Sequence, residues 1–571
     1  MAVLTGTAGA DTLTGTAEDD VLTGGGGADV LDGRGGQDTA SYENSSSGLN
    51  IFMVPSNDAS GDAWGDVFIS IENVRGSNFG DFIHGDGGSN RLYGLGGRDT
   101  LYGAGGADQL YGGADTDNLV GGAGTDFMDG GEGIDTLSYQ LADGGVTVSL
   151  ADSGLNTGWA AGDSYVSVED LTGTLYDDVI YGDAQAVNNL WGLAGNDRIY
   201  GGAGYDVLIG DAGADYLDGG EGTDLADYET ATSAVVASLA DPSRNTGDAA
   251  GDVYVSVEDL AGSAYGDVLY GDAQGNGINA WPGNDTVYGG DGNDGLDGAE
   301  GDDLLYGEGG WDLLVGGAGR DMAGYTGGIA GYRVYLSDGS QFPDTAGAYM
   351  VSAGGGSEGT DTLRQMEGLR FADMTVNLTI QDTAAGISAT QLKLLQELYV
   401  AFFNRVPDAD GLEFWITRLQ AGESINSISE SFYAAGVAAG AVTGYSDAMS
   451  SADFVNLVYR NVLGRSEGAD AEGLQYWSGA LDDGRESRGS LVKAILDSAH
   501  TFKGNATWGW VADLLDNKAA VAELFAVTMG LGYLTPEDSI SKGMEIAAAV
   551  TAGDISAAVA LIGVTPEQIN L

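Results

Sequence analysis

Aspartate returns every nine residues at the start of this chain, and that period restricts the fold more than any other feature. Asp11, Asp20, Asp29 and Asp38 stand in successive nonapeptides, GTAGADTLT, GTAEDDVLT, GGGGADVLD and GRGGQDTAS, with Leu13, Leu22 and Leu31 two places after the first three. The first six positions are Gly-rich and suit tight turns with positive φ, while the remaining three are too short for a helix and read as a small strand with one side chain inward. Turn and strand alternate, so two repeats make one coil of a flattened parallel β-solenoid. Residues 18 apart, such as Asp11 and Asp29, then lie along one edge.

The beat returns in three longer blocks. The second carries Asp81, Asn90, Asp99, Asp108, Asp117, Asp126 and Asp135; the third Asp178, Asp197, Asp206, Asp215 and Asp224, with one extra residue near Asn188; the fourth Asp267, Asn276, Asp285, Asp294, Asp303, Asp312 and Asp321. Tyr42, Tyr139, Tyr228 and Tyr325 close the blocks, and each long block follows an E-[DN]-[LV]-x-G strand. Val168–Leu171 recurs as Val257–Leu260, a duplication at the level of the module. The excursions between blocks, including GLNIFMV and DVFISI, alternate like strands and are expected to cap one solenoid and start the next. Their acids Asp163 and Asp252 are candidate ion ligands, with solvated turn acids as the preferred reading.

The 86 acidic residues against 21 Lys and Arg give a formal charge of -65, and Gly numbers 99. Such acidity argues for disorder unless cations complete the fold, and a 43% hydrophobic content set at a regular period favours the second case. Carboxylates at position six, joined by carbonyls of the Gly-rich turns, form an all-oxygen donor set suited to Ca²⁺, at on the order of 15 sites. A basic nucleic-acid patch is excluded, as is a thiolate site, since cysteine is absent.

The pattern G-G-x-G-x-D-x-U-x, with U a large apolar residue, resembles the calcium-binding nonapeptide of RTX (hemolysin-type) proteins. The resemblance implies a secreted chain that folds on meeting extracellular calcium. MAVLTGTAGAD enters the repeat with no cleavable signal peptide, and the tail GDISAAVALIGVTPEQINL resembles a type I secretion signal, which makes that machinery an expected partner. No apolar run is long enough for a membrane span.

The resulting divisions are 1–42, 43–139, 140–228 and 229–325 for the repeat blocks with their excursions, 326–385 for a β cap, 386–535 for a helical domain and 536–571 for the tail. Helical faces fall at Leu392, Leu395, Tyr399 and Phe402, at Phe454, Leu457, Val458 and Val462, and at Val521, Leu524, Phe525 and Met529. LYVAFFNRVPDADGLEFWITRLQAG is echoed by VYRNVLGRSEGADAEGLQYWSGALDDG. This repeat resembles domain of unknown function 4214 over about 390–530, the second copy fitting better. A related helical arrangement in surface-layer (S-layer) proteins makes lipopolysaccharide an expected partner. Asp408 and Asp470 are read as helix N-caps rather than EF-hand ligands, each before a helix with a buried Trp, Trp415 and Trp477. Arg405 and Arg465 orient these caps, in preference to meeting an acidic sugar.

Catalytic signals are weak. His84 ends an outward-facing strand position and His500 lies in DSAHTF, neither with a nucleophile or second ligand nearby in sequence. The string GGSEG at 355–359 matches a nucleophile elbow but lacks a following helix. Paired acids abound, yet no stretch remains for a catalytic domain, so the chain is read as no enzyme. Tyr270, Tyr288 and Tyr306, and likewise Tyr93 and Tyr111, occupy outward position nine and predict ladders of rings about 4.8 Å apart. They stiffen the sheet or offer an aromatic strip to a neighbouring subunit or polysaccharide. The expected fold is a calcium-binding β-roll followed by an all-α domain. The expected function is a self-associating cell-surface structural protein, S-layer-like or matrix; the alternatives are a polysaccharide-binding adhesion module and a polysaccharide-modifying enzyme.

Overall fold

Most nonapeptides contribute one strand whose central residue points inward, as the period requires. Leu22, Leu31, Leu92, Leu101, Leu110 and Leu119 are fully buried. Strands pair in parallel with an offset of 18, setting Leu4 opposite Leu22, Leu13 opposite Leu31, Leu92 opposite Leu110 and Leu101 opposite Leu119. Each inward side chain contributes roughly 1.5–3 kcal/mol by burial. The core is one side chain deep on each face, so the turns must be satisfied by other means. The computed structural model describes residues 1–54, 56–184, 187–339, 347–354 and 359–571, in two compact units, Met1–Val287 and Tyr288–Leu571.

Within the first unit the excursions do more than cap. In the first, Val67–Ile69 ends a sheet by pairing with Val30–Asp32, and Asn50–Phe52 opens a new one against Phe82–His84. On the other face Asn73–Arg75 bridges Thr39–Ser41 and Arg91–Tyr93 without a break. The second excursion reverses the roles: Ser164–Val166 ends the face that ran through, Thr147–Ser149 opens its successor, and Asp170–Thr172 carries the opposite face onward. The third repeats this with Val253–Val255, Val236–Ser238 and Asp259–Ala261. One face always passes through, so the blocks of this unit form one continuous solenoid.

In the second unit the parallel stack ends against antiparallel strands. Leu313–Val315 pairs in parallel with Thr360–Arg364, which joins Tyr349–Ala353 and Tyr332–Leu336 in antiparallel order. Met374–Asn377 pairs antiparallel with Gly368–Arg370 and Leu531–Tyr533, and Ile569–Asn570 adds to Tyr332–Leu336. Two strands returning from the helical region thus complete the cap, and Ile569 in the tail is fully buried. The GGSEG string lies outside the described residues apart from Gly359.

The helices are α1 Ile380–Ala385, α2 Ala389–Phe403, α3 Ala409–Gln420, α4 Ile425–Ala438, α5 Gly440–Thr443, α6 Ser451–Asn461, α7 Ala471–Asp482, α8 Arg488–His500, α9 Gly509–Glu523, α10 Pro536–Ala549 and α11 Ser556–Ile562. Leu395, Phe402, Phe454, Val458, Val462, Val521 and Phe525 are buried as their spacing predicts, while Leu457 and Leu524 are half-buried. Asp408 caps α3 by accepting Gly411 N–H at 2.7 Å, and Asp470 caps α7 from Gly473 at 2.8 Å. Arg405 and Arg465 reach these caps at 3.4 and 3.2 Å. Trp415 is buried, but Trp477 is only half-buried, because the second copy lacks the cover that the first receives from its neighbours.

Candidate metal centre

The position-six carboxylates form columns, each joined to the coil before it by one oxygen. Asp29 Oδ1 accepts Asp11 N–H at 2.7 Å, Asp117 accepts Asp99 at 2.8 Å, Asp215 accepts Asp197 at 2.7 Å and Asp321 accepts Asp303 at 3.0 Å. Asp285 and Asp312 accept in the same way from Asp267 and Asp294. The extra residue near Asn188 is absorbed without loss, since Asn188 N–H donates to Asp206 Oδ1 at 2.9 Å and Asn188 itself takes position six.

The second oxygen divides the repeats into two kinds. At Asp11, Asp20, Asp81, Asp178 and Asp267 it accepts the N–H of a Ser or Thr at position two, Thr7, Thr16, Ser77, Thr174 and Ser263, at 2.5–2.6 Å. The hydroxyl of the same residue adds a bond to the carboxylate. At Asn90, Asn188 and Asn276 the N–H of Asp86, Asp183 or Asp272 donates to Oδ1, and Nδ2 donates to the carbonyls of Glu72, Glu169 and Glu258. These repeats are latched by their own polar groups.

Twelve further repeats are open. Oδ2 of Asp29, Asp38, Asp99, Asp108, Asp117, Asp126, Asp135, Asp197, Asp206, Asp215, Asp224 and Asp321 is buried and receives no hydrogen bond. The cause is the backbone hand at position two. Gly25, Gly113, Gly122, Gly131, Gly202, Gly220 and Gly317 all have positive φ there, and Arg34, Leu95, Ala104, Leu193 and Asp211 adopt the same conformation despite a side chain. None of the latching residues at position two does so. A left-handed turn directs the N–H away from the carboxylate, which leaves an oxygen in need of a partner.

Burial without a donor makes charge costly. It pushes Asp99 and Asp215 up to about 8, Asp108, Asp117 and Asp197 to about 7, and Asp206 and Asp321 to about 6. Latched Asp11 and Asp20 move the other way, held below the usual carboxylate range chiefly by the Thr7 and Ala2 N–H groups, whereas burial still raises latched Asp81, Asp178 and Asp267. Carbonyls converge on the open oxygens. A Cβ on Gly103 would lie 2.5 Å from Gly121 O and 2.6 Å from Asp108 Oδ2, and one on Gly201 would meet Asp206 Oδ2 and Gly219 O at 2.5 and 2.6 Å. Orphaned carboxylate oxygens beside carbonyls, with no nitrogen or sulfur donor, fit a hard divalent cation such as Ca²⁺.

The excursions continue the columns with residues outside the nine-residue count. Glu72, Glu169, Glu258 and Glu367 accept the N–H of Asp38, Asp135, Asp224 and Asp321 at 2.8–3.0 Å. Their signal was the E-[DN]-[LV]-x-G strand, which three of the four begin. Asp163 and Asp252 are not solvated turn acids: both are buried, accept the N–H of Asp126 and Asp215 through Oδ1, and receive the hydroxyls of Tyr139 and Tyr228 on Oδ2 at 2.8 and 2.7 Å. Asp66 does the same with Tyr42 at 2.6 Å. In these modules the block-closing tyrosine folds back over its excursion and supplies the donor that open repeats lack.

Outside the columns, His84 stacks on Tyr102 with centroids 4.6 Å apart. His500 meets groups remote in sequence: Nε2 lies 2.8 Å from Glu397 Oε1 and Nδ1 3.7 Å from Asp516. A cation there would compete with Lys393, 2.5 Å from Asp516, and with Lys503 on the same carboxylate. The tyrosine ladders form as spaced, Tyr93 on Tyr111 at 4.8 Å and Tyr288 on Tyr306 at 4.7 Å, both nearly parallel; Tyr270 has the Arg244 guanidinium over its ring.

The columns, open oxygens and Gly-rich cradles define a calcium-binding repeat protein. The family model for the RTX calcium-binding nonapeptide repeat matches residues 5–40, 75–110, 102–137, 168–186, 191–226, 261–296 and 288–323, leaving most of each excursion unmatched. The chain carries these RTX repeats together with a helical domain of unknown function, DUF4214, matched at 437–504, which includes the second helical copy. No curated protein matches the chain.

Proposed function

We propose that this is a secreted, non-catalytic structural protein of the bacterial cell surface, S-layer-like or part of an extracellular matrix, whose repeat region folds when the chain meets extracellular calcium. The observation that carries the reading is the column of buried carboxylates with an unshared oxygen at each open repeat. At low cytosolic calcium those charges oppose the coil, which keeps the chain extended for a type I channel. Outside, cation binding free energy becomes folding free energy. The aspartates and asparagines of the four blocks are the proposed column, with the open aspartates as ligands and on the order of 15 ions as the expected load.

A second reading, a polysaccharide-binding adhesion module, is favoured by the stacked Tyr faces at Tyr93–Tyr111 and Tyr288–Tyr306. Circular dichroism of the whole chain in chelator and in millimolar calcium tests the folding step; equal strand content in both would sink it. Negative-stain microscopy in the same two conditions separates the readings. Calcium-dependent sheets or filaments support the structural protein, and single particles support the adhesion module.

A further inference from the structure

The two helical copies present the same Arg–Asp pair in different surroundings. In the first, α10 lies against it: Ser539 Oγ donates to Asp408, accepts from Arg405, and is itself buried, while Gly543 O accepts the Val406 N–H at 3.1 Å. The Asp408 side chain is 18% exposed. In the second copy Trp508 lies against Arg465, whose side chain is 17% exposed, while the Asp470 side chain is left 52% exposed. Arg465 and Asp470 instead line a cleft of about 870 Å³ with Glu472, Tyr476, Trp477 and Trp508. That volume falls within the roughly 300–1,000 Å³ of small-molecule pockets.

We propose that this cleft binds a neutral saccharide, one hydroxyl of which takes the place that the Ser539 hydroxyl holds in the first copy. A hydroxyl that donates to a carboxylate and accepts from a guanidinium is the recurrent unit of a sugar edge. The cleft walls supply the complementary faces. Tyr476 is 60% exposed, and Trp508 carries the Arg465 guanidinium 4.3 Å from its ring centroid. Phe502 also lines the cleft; counted from the matching helix N-caps Ser424 and Ser487, the first-copy position is Ala439. Charge selects against anions, because Arg465 is paired with Asp470 and Glu472 adds a second carboxylate.

The proposal goes beyond the calcium-dependent reading and fails separately from it, since it is tested on protein already folded in calcium. The full chain in millimolar calcium is titrated with neutral oligomers of glucose, galactose, mannose and N-acetylglucosamine by calorimetry and saturation-transfer NMR. At least one oligomer is expected to bind saturably and to weaken about tenfold, or 1.4 kcal/mol, in Tyr476→Ala. Phe414→Ala, the aligned exposed position of the first copy, leaves binding unchanged, and Trp508→Ala provides a second cleft variant. The proposal is overturned if no neutral oligomer binds at about 10 mM. Unchanged binding in Tyr476→Ala, tighter binding of uronic-acid oligomers, or a dimer that Tyr476→Ala dissociates would each overturn it as well.

Discussion

Open and latched repeats share the same nine-residue period and the same aspartate column, yet they solve the buried carboxylate in opposite ways. The first two position-six residues of each block are latched: Asp11 and Asp20, Asp81 and Asn90, Asp178 and Asn188, Asp267 and Asn276. The open aspartates follow them within the blocks, with a left-handed residue at position two and an oxygen without a donor. The difference ties an oxygen without a donor to one backbone dihedral, not to the aspartate itself, and the proposed calcium dependence follows that dihedral. Each block starts on two turns that its own side chains satisfy and continues on left-handed turns, where the proposed cations would sit.

The largest expected effect is the response of the metal-free fold to pH, to which the open aspartates with the highest values contribute most. Seven open aspartates, Asp99, Asp108, Asp117, Asp197, Asp206, Asp215 and Asp321, have folded-state values raised to about 6–8 by burial, against about 3.9 in an unfolded chain. Between about pH 4 and 8 the metal-free fold therefore binds more protons than the unfolded chain, and its stability falls as pH rises through that window. In chelator, strand signal by circular dichroism should be greater at pH 5 than at pH 8. Calcium should abolish the trend near neutrality and bind more weakly as pH drops. A signal in chelator that is flat or rises toward pH 8 would refute the link between open oxygens and instability.

Next in size is a paired substitution. Asp117→Asn replaces an open carboxylate and should lower calcium stoichiometry and destabilise the calcium-loaded fold by roughly 2–4 kcal/mol, while easing the metal-free fold. Asp267→Asn at a latched position should leave stoichiometry unchanged. Calorimetric titration with calcium reads both, and equal losses would erase the distinction. Smaller still is Ser77→Ala, which removes the hydroxyl bonded to Asp81 at 3.0 Å. It should cost about 1 kcal/mol in calcium and in chelator at acid pH alike, measured by thermal unfolding.

Much of this was legible because its signal is local. The period placed the aspartates, the inward leucines and the tyrosine stacks, and D-x-[DE]-G-L placed the caps at Asp408 and Asp470. The rest depends on conformation or distance. Thr7 and Leu95 both follow a position-one glycine; a Ser or Thr in that place marks each latched aspartate, but the nine-residue count does not read it and its meaning rests on the hand of the turn. Asp163 resembled a solvated loop acid because its partner Tyr139 lies 24 residues earlier and closes on it only when the coil forms. Glu367 joins its column 46 residues after Asp321, and Ser539 reaches Asp408 across 131 residues. No period links such pairs.

The smallest effect probes the left-handed turn directly. Ala104 holds position two before open Asp108 with φ 76, a conformation that costs a residue with a Cβ about 1–2 kcal/mol. Glycine removes that cost but adds freedom to the unfolded chain, so Ala104→Gly should stabilise the calcium-loaded protein by a net of roughly 0.5–1 kcal/mol. At Gly113, which has φ 122 before open Asp117, the reverse change should destabilise, since a Cβ there would collide with the Leu95 carbonyl. Calcium stoichiometry stays constant in Ala104→Gly because the turn keeps its hand. If thermal unfolding in calcium shows Ala104→Gly destabilised and Gly113→Ala tolerated, the open turns are not held left-handed, and the dihedral account of calcium dependence fails.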